Sequence, residues 1–212
     1  MGLKNFKNIF ALLFGGHCIL CDDLSLDYIC PNCSSSFGDG FEFFCPPFEK
    51  SFSIGMYKDR FKDLIIKAKS NSIAMEEISK LVLKFLQDKR FDGFCVSCIP
   101  DDKFGHSHLD RVVKEVSDKK NLPIYRFQKI KETKKQHLLY FNERRLNVAN
   151  CFCAESAPEK ILLIDDVITS GATSKRAYNE LVQSGSKTVY FLTFSISPVF
   201  WEIYIRESSV NK

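Results

Sequence analysis

The sequence predicts an α/β fold: a mostly parallel sheet of about five strands flanked by helices, with a small cysteine-rich module in front of it. Three observations carry this. Ile161-Leu162-Leu163-Ile164 is an unbroken apolar run, as in the middle of a parallel sheet covered on both faces. Strand-length apolar segments alternate with segments whose apolar residues recur at helical spacing. Cys18, Cys21, Cys30 and Cys33 form two evenly spaced pairs ahead of that alternation.

A chain of 212 residues can bury one ordinary α/β core and carry a small extra module, but not two large domains. Twenty Phe and 45% hydrophobic residues indicate a folded chain, and 26% charged residues a soluble one. The formal net charge of +4 is unevenly placed, because residues 103 to 147 hold 12 Lys or Arg against 5 Asp or Glu. At the start, Lys4 and Lys7 precede Ile9-Phe10-Ala11-Leu12-Leu13-Phe14, which faintly imitates a signal peptide. The run is short, no small-x-small cleavage site follows, and His17 stands before Cys18. A short amphipathic helix packed on the module is expected instead. Nothing reaches the ~18 apolar residues of a membrane span, so the expected location is the cytoplasm, with the inner face of the membrane as a further place.

Taking the elements in order, the module comes first. Cys18-x2-Cys21 and Cys30-x2-Cys33 are knuckle spacings: a tight turn presents two thiolates to one ion, and two knuckles complete a tetrahedral site. Zinc is the default occupant and iron the runner-up; a redox pair or four unrelated buried thiols are the alternatives. A closed four-thiolate site has no open position, so its role is structural. The module is expected over 1–47 and the second domain over 48–212, with the boundary at Pro46-Pro47. Cys45, Cys95, Cys98, Cys151 and Cys153 lack partners at knuckle spacing and read as buried thiols.

Ser51 to Tyr57 alternates like a strand, with Phe52, Ile54 and Met56 on one face. Asp59 to Lys69 places Phe61, Leu64, Ile65 and Ala68 on one helical face, and a second helix from Ser72 buries Ile78, Leu81, Val82, Phe85 and Leu86. Phe94 to Ile99 reads as a buried strand stopped by Pro100, and His108 to Asn121 as a helix with Leu109, Val112, Val113 and Val116 inward. Pro123 to Phe127 is expected as a short strand. The Ile161 strand, a helix from Ala172 to Val182 closed by Gly185, and a final strand from Thr188 to Ser195 complete the alternation.

The chemistry concentrates where the Ile161 strand ends in Asp165-Asp166 and turns through Thr169-Ser170-Gly171-Ala172-Thr173 into a helix. Ligands of open α/β sheets bind beyond the carboxyl ends of strands, and this loop offers backbone N–H groups, hydroxyls and a helix dipole to a phosphate. The two carboxylates would repel that phosphate, so they suit sugar hydroxyls or a divalent cation held through water. Hydroxyls beside one phosphate describe a ribose 5-phosphate. Neither a Gly-Lys-Ser/Thr ending nor a G-x-G-x-x-G is present. The bland reading, a structural strand and turn with surface acids, requires both acids and the hydroxyl loop to coincide by chance.

The run Ile161 to Thr173 resembles the phosphoribosyl pyrophosphate (PRPP) motif of type I phosphoribosyltransferases at all thirteen positions. A four-cysteine module, then helices, then such a core further resembles the ComF family of competence proteins. Also in order are the Tyr57 strand with its Lys-rich helix, Pro100, Lys131-x-Thr133-x-x-Gln136 and Arg145-x-Asn147-Val148-Ala149-Asn150-Cys151-Phe152. The family carries Arg-Gly-Phe-Asn-Gln where this chain has Phe104-Gly105-His106-Ser107-His108. His106 and His108 either replace the missing side chains or are loop histidines without a ligand.

The resemblance implies a ribose site at Asp165 and Asp166 and a 5-phosphate site at Thr169, Ser170, Gly171, Ala172 and Thr173. Pyrophosphate and its Mg²⁺ would lie toward Pro100 to Gly105 and the basic loop from Lys129 to Gln136. If a transfer occurs, Asp165, Asp166 and Lys131 are the candidate catalytic residues, with Lys134 and Lys135 adding charge for the departing pyrophosphate. Position 169, an acid in 6-oxopurine salvage enzymes, is Thr here. Two functions follow. One is a PRPP-binding protein of natural transformation that contacts single-stranded DNA, a DNA-uptake ATPase or other competence proteins. The other is an active phosphoribosyltransferase with an unidentified acceptor. Tyr125, Phe127, Tyr140 and Phe141, interleaved with basic residues, could stack on bases, and core packing is the alternative for each.

Overall fold

A computed structural model describes residues 16–101, 104–130 and 151–203. In chain order these form α1 (Pro31–Ser34), β1 (Phe41–Phe43), β2 (Lys50–Met56), α2 (Asp59–Ala68), α3 (Ser72–Leu86), β3 (Cys95–Cys98), α4 (Asp110–Lys120), β4 (Gln128–Lys129), β5 (Phe152–Cys153), β6 (Lys160–Ile168), α5 (Ala172–Gln183) and β7 (Thr188–Ile196). A helical segment follows over 198–203. The expected helix over 1–16 lies outside the described residues.

The sheet has five strands in the order β1-β2-β7-β6-β3. Strands β2, β7, β6 and β3 run parallel, and only β1 is antiparallel. This is the α/β, mostly parallel architecture the alternation predicts. The edge strand β1 is not legible in the sequence: Phe41-Glu42-Phe43 is three residues long and sits just behind the cysteine segment.

Apolar side chains on both faces of the central strands explain why they tolerate no polar alternation. Leu162 and Ile164 of β6, with Leu192 and Phe194 of β7, pack against α2, α3 and α4. Ile161, Leu163, Val189 and Phe191 join the cluster of Ala177 and Leu181 from α5. The helical stripes fall largely where spacing put them: Phe61, Leu64, Ile65 and Ala68 of α2 and Val112, Val113 and Val116 of α4 are all buried. In α3, Ile78, Val82 and Leu86 are buried, whereas Leu81 and Phe85 pack at its margin. Asn121, in the left-handed conformation at φ 53°, ends α4.

Two expectations are corrected. Pro123 to Phe127 is not a strand: only Ile124 bridges to Val96 in the parallel sense. Arg126 donates to the Gly105 carbonyl at 3.1 Å and to Asp110 Oδ1 at 2.6 Å. The chain then leaves the sheet for the separate β4–β5 ribbon. The second correction concerns β6, which does not end at the acids. It stays in register with β7 through Asp165↔Thr193, Val167↔Ser195 and Ile168↔Ile196. The two acids are therefore strand residues, fixed by ladder geometry rather than by a loop.

Candidate ligand site at the end of the central strand

The site begins with the backbone of β6. Thr193 Oγ1 on β7 donates to the Asp166 carbonyl at 3.1 Å, and the Val167 N–H donates to Asp166 Oδ1 at 2.6 Å. That leaves Asp166 Oδ2 facing outward, where two cations from different elements reach it. Lys69, at the C-terminal end of α2, places Nζ 2.7 Å from Oδ2. His108, just before α4, places Nε2 3.4 Å from the same oxygen.

His108 is held from behind. Asp101 Oδ2 receives the His108 N–H at 2.8 Å, lies 2.7 Å from its Nδ1, and accepts the Ser107 hydroxyl at 3.2 Å. The Asp101 N–H returns a bond to the His106 carbonyl at 2.8 Å. Gly105 makes the turn possible, since its φ is 78° and a Cβ there would meet the Phe127 carbonyl oxygen at 2.9 Å. The histidine that sequence left between two readings is thus part of the site. His106, by contrast, lies 3.7 Å from Asp110 Oδ2. Lys69 and Asp101 were not foreseen as site residues.

The electrostatics divide the two acids. Burial alone would raise the Asp166 carboxyl, but His108 and Lys69 outweigh it and hold the group below the usual carboxylate range. Asp165 goes the other way: burial first, then the neighbouring Asp166 charge, push it well up. Its Oδ1 accepts the Asp166 N–H at 2.9 Å. For His108, burial would lower the pKa, yet the two carboxylates it faces raise it to about 9. One acid therefore carries the negative charge, already matched by cations. The other resists ionisation.

The loop follows directly. Gly171 adopts φ 69° at the N-terminus of α5, a conformation that favours glycine, and Phe200 and Ile168 close around its α-carbon. Ser170 Oγ accepts the Ala172 N–H at 3.4 Å, and Ser174 Oγ donates to the Gly171 carbonyl at 3.1 Å. Among the described residues, the N–H groups of Thr169, Ser170 and Gly171 make no hydrogen bond. Thr169 is exposed, Ser170 and Thr173 partly so. The structure brings Asp165, Asp166 and this loop to one end of the sheet, together with Lys69, Asp101 and His108. Lys131, with the basic loop beyond Ile130 and Tyr140 and Phe141, lies outside the described residues. Phe127 is a core residue against Phe152, and Tyr125 donates its hydroxyl to the Glu155 carbonyl at 3.0 Å.

A second constellation stands apart. The sulfurs of Cys18, Cys21, Cys30 and Cys33 all lie within 4.8 Å of one another. Tetrahedral zinc with Zn–S bonds of about 2.3 Å needs sulfurs about 3.8 Å apart, so the four residues fit the ion. The N–H groups of Leu20 and Cys30 point at Cys18 Sγ at 3.4 and 3.3 Å, as they would to a ligating thiolate. Arg60 donates to the Leu20 carbonyl at 3.3 Å, and Lys67 to that of Ile19, tying the first knuckle to α2. Cys45, Cys98 and Cys151 are buried free thiols, and burial pushes the first up to about 11 and the second to about 12. Cys95 and Cys153 are only partly buried.

No helix among the described residues is long and apolar enough to cross a membrane. No family model matches the chain, and no curated protein does. Among solved structures it is similar to a hypoxanthine-guanine phosphoribosyltransferase from Bacillus anthracis, at 12% identity over 65% of this chain and 69% of that one, with a TM-score of 0.34. A second structure of the Bacillus anthracis enzyme, with a HEPES molecule in the active site, gives 13% identity over 65% and 71%, with a TM-score of 0.35.

Proposed function

We propose that this protein binds PRPP with Mg²⁺ at Asp165, Asp166 and the Thr169–Thr173 loop, and that it serves a ComF-like role in natural transformation. The observation that carries the binding site is the continuity of β6 into the loop. A charge-matched diacid fixed in the sheet is followed, three residues on, by unbonded N–H groups at the mouth of α5. Carboxylates accept hydrogen bonds from ribose hydroxyls, and the N–H groups and the α5 dipole suit the 5-phosphate. The acids also supply the hard oxygen donors that Mg²⁺ takes, directly or through water, while the ion neutralises pyrophosphate. The role in DNA uptake, with single-stranded DNA or competence proteins as partners, rests on the order of module and core along the sequence.

Titration calorimetry tests the site. Wild-type protein should bind PRPP more tightly with Mg²⁺ than without, and Asp165→Asn combined with Asp166→Asn should abolish the heat. Unchanged affinity in that variant would overturn the assignment. For DNA, binding should weaken as salt rises, because phosphate contacts release counterions. Pyrophosphate release on offering bases with PRPP would instead mark the protein as a transferase.

A further inference from the structure

Nε2 of His108 is a buried nitrogen without a hydrogen-bond partner among the described residues. It sits 3.4 Å from Asp166 Oδ2, a charge contact lacking hydrogen-bond alignment. An unpaired polar atom in so confined a place is costly, and native structures rarely leave one unless a ligand or water completes it. Random pointing does not explain it. Nδ1 is fixed by Asp101 at 2.7 Å, the backbone N–H of the same residue bonds the same carboxylate oxygen, and Ser107 Oγ adds a third contact. The ring is aimed.

Its protonation follows from these neighbours. Asp101 is held below the usual carboxylate range and therefore accepts, so Nδ1 carries a proton. The raised basicity of the ring gives Nε2 a proton as well. Beside that donor lies an acceptor, the Asp166 carboxylate. A donor and an acceptor about one hydrogen-bond length apart are complementary to a hydroxyl, which gives one hydrogen and receives another. A phosphate oxygen offers no hydrogen to Asp166 and is repelled by it; a carbonyl has none to give.

We propose that His108 is a ligand-binding residue that donates Nε2–H to a ribose hydroxyl while Asp166 accepts that hydroxyl's proton, so that the pair selects ribose over deoxyribose phosphates. This deepens the PRPP reading and rests on it. No sequence pattern announces it, because His108 and Asp166 meet only through the fold.

The test is calorimetry of full-length protein with PRPP, ribose 5-phosphate and its 2-deoxy and 3-deoxy analogues. Wild-type protein should lose about tenfold or more in affinity for one deoxy analogue relative to ribose 5-phosphate, as expected for a hydrogen bond to a charged donor. In His108→Leu that discrimination should disappear, and in His108→Gln, which keeps an N–H donor, part of it should return. If both deoxy penalties persist at full size in His108→Leu and His108→Gln, the inference is overturned while the PRPP reading stands. If wild-type protein binds neither PRPP nor ribose 5-phosphate, the PRPP reading itself is overturned. Far-UV circular dichroism of each variant shows that it is folded, and His108→Gln carries the test should His108→Leu not fold.

Discussion

Lys69 and His108 converge on a single carboxylate oxygen, yet they differ in what they add. The Lys69 side chain is 54% exposed, so its pair with Asp166 contributes under about 1 kcal/mol to folding after solvent screening. His108, with a side chain 26% exposed and two carboxylates around it, has more to lose. A histidine in an unfolded chain titrates near 6.5, whereas His108 is raised to about 9. The folded state therefore holds this proton more tightly. Its contribution to stability is complete below about pH 6.5 and is lost as the pH rises through about 9. Thermal melts of wild type and His108→Gln should differ most near pH 6 and converge toward pH 10, at values flagged here as roughly the limits of that window. A constant offset across the whole range would show that the ring is not charged by its neighbours.

At the scale of elements, the turn between α2 and α3 decides where Lys69 points. Asn71 caps α3 by accepting from the Ile73 and Ala74 N–H groups at 2.9 and 3.0 Å. Asn71→Ala should cost about 1 kcal/mol in denaturant unfolding and weaken PRPP binding, because the turn carrying Lys69 loosens; wild-type stability in that variant would remove the cap from the account. The diacid and the hydroxyl loop were legible in the sequence because one continuous segment carries them. Lys69, Asp101 and His108 belong to three other segments, and only the parallel crossovers bring them to Asp166. For the same reason the helices read well, since α2 and α4 each bury a stripe set by local spacing. The Pro123–Phe127 segment read poorly. Its alternation suits a strand, but Arg126 bonds to Gly105 and Asp110, and only Ile124 meets β3.

For the whole molecule, Cys18, Cys30 and Cys33 share one buried cluster with Phe61, Leu64 and Ile65 of α2. If zinc closes the knuckles, it also fastens that helix. Elemental analysis should find about one zinc per chain, and removing the ion with a chelator should lower the melting temperature by several degrees, as for a loss of roughly 1 kcal/mol or more. An unchanged melt after verified removal would separate the module's fate from that of the core. The strand order has a consequence of another kind, for synthesis. β7 lies between β2 and β6, pairing Lys50 with Tyr190 and Lys160 with Thr188. Until Thr188–Ile196 has left the ribosome, β2 has no parallel neighbour and the rung that receives Asp165 is missing. The nascent chain must keep Phe52, Ile54, Leu162 and Ile164 from other partners until that late strand arrives between them.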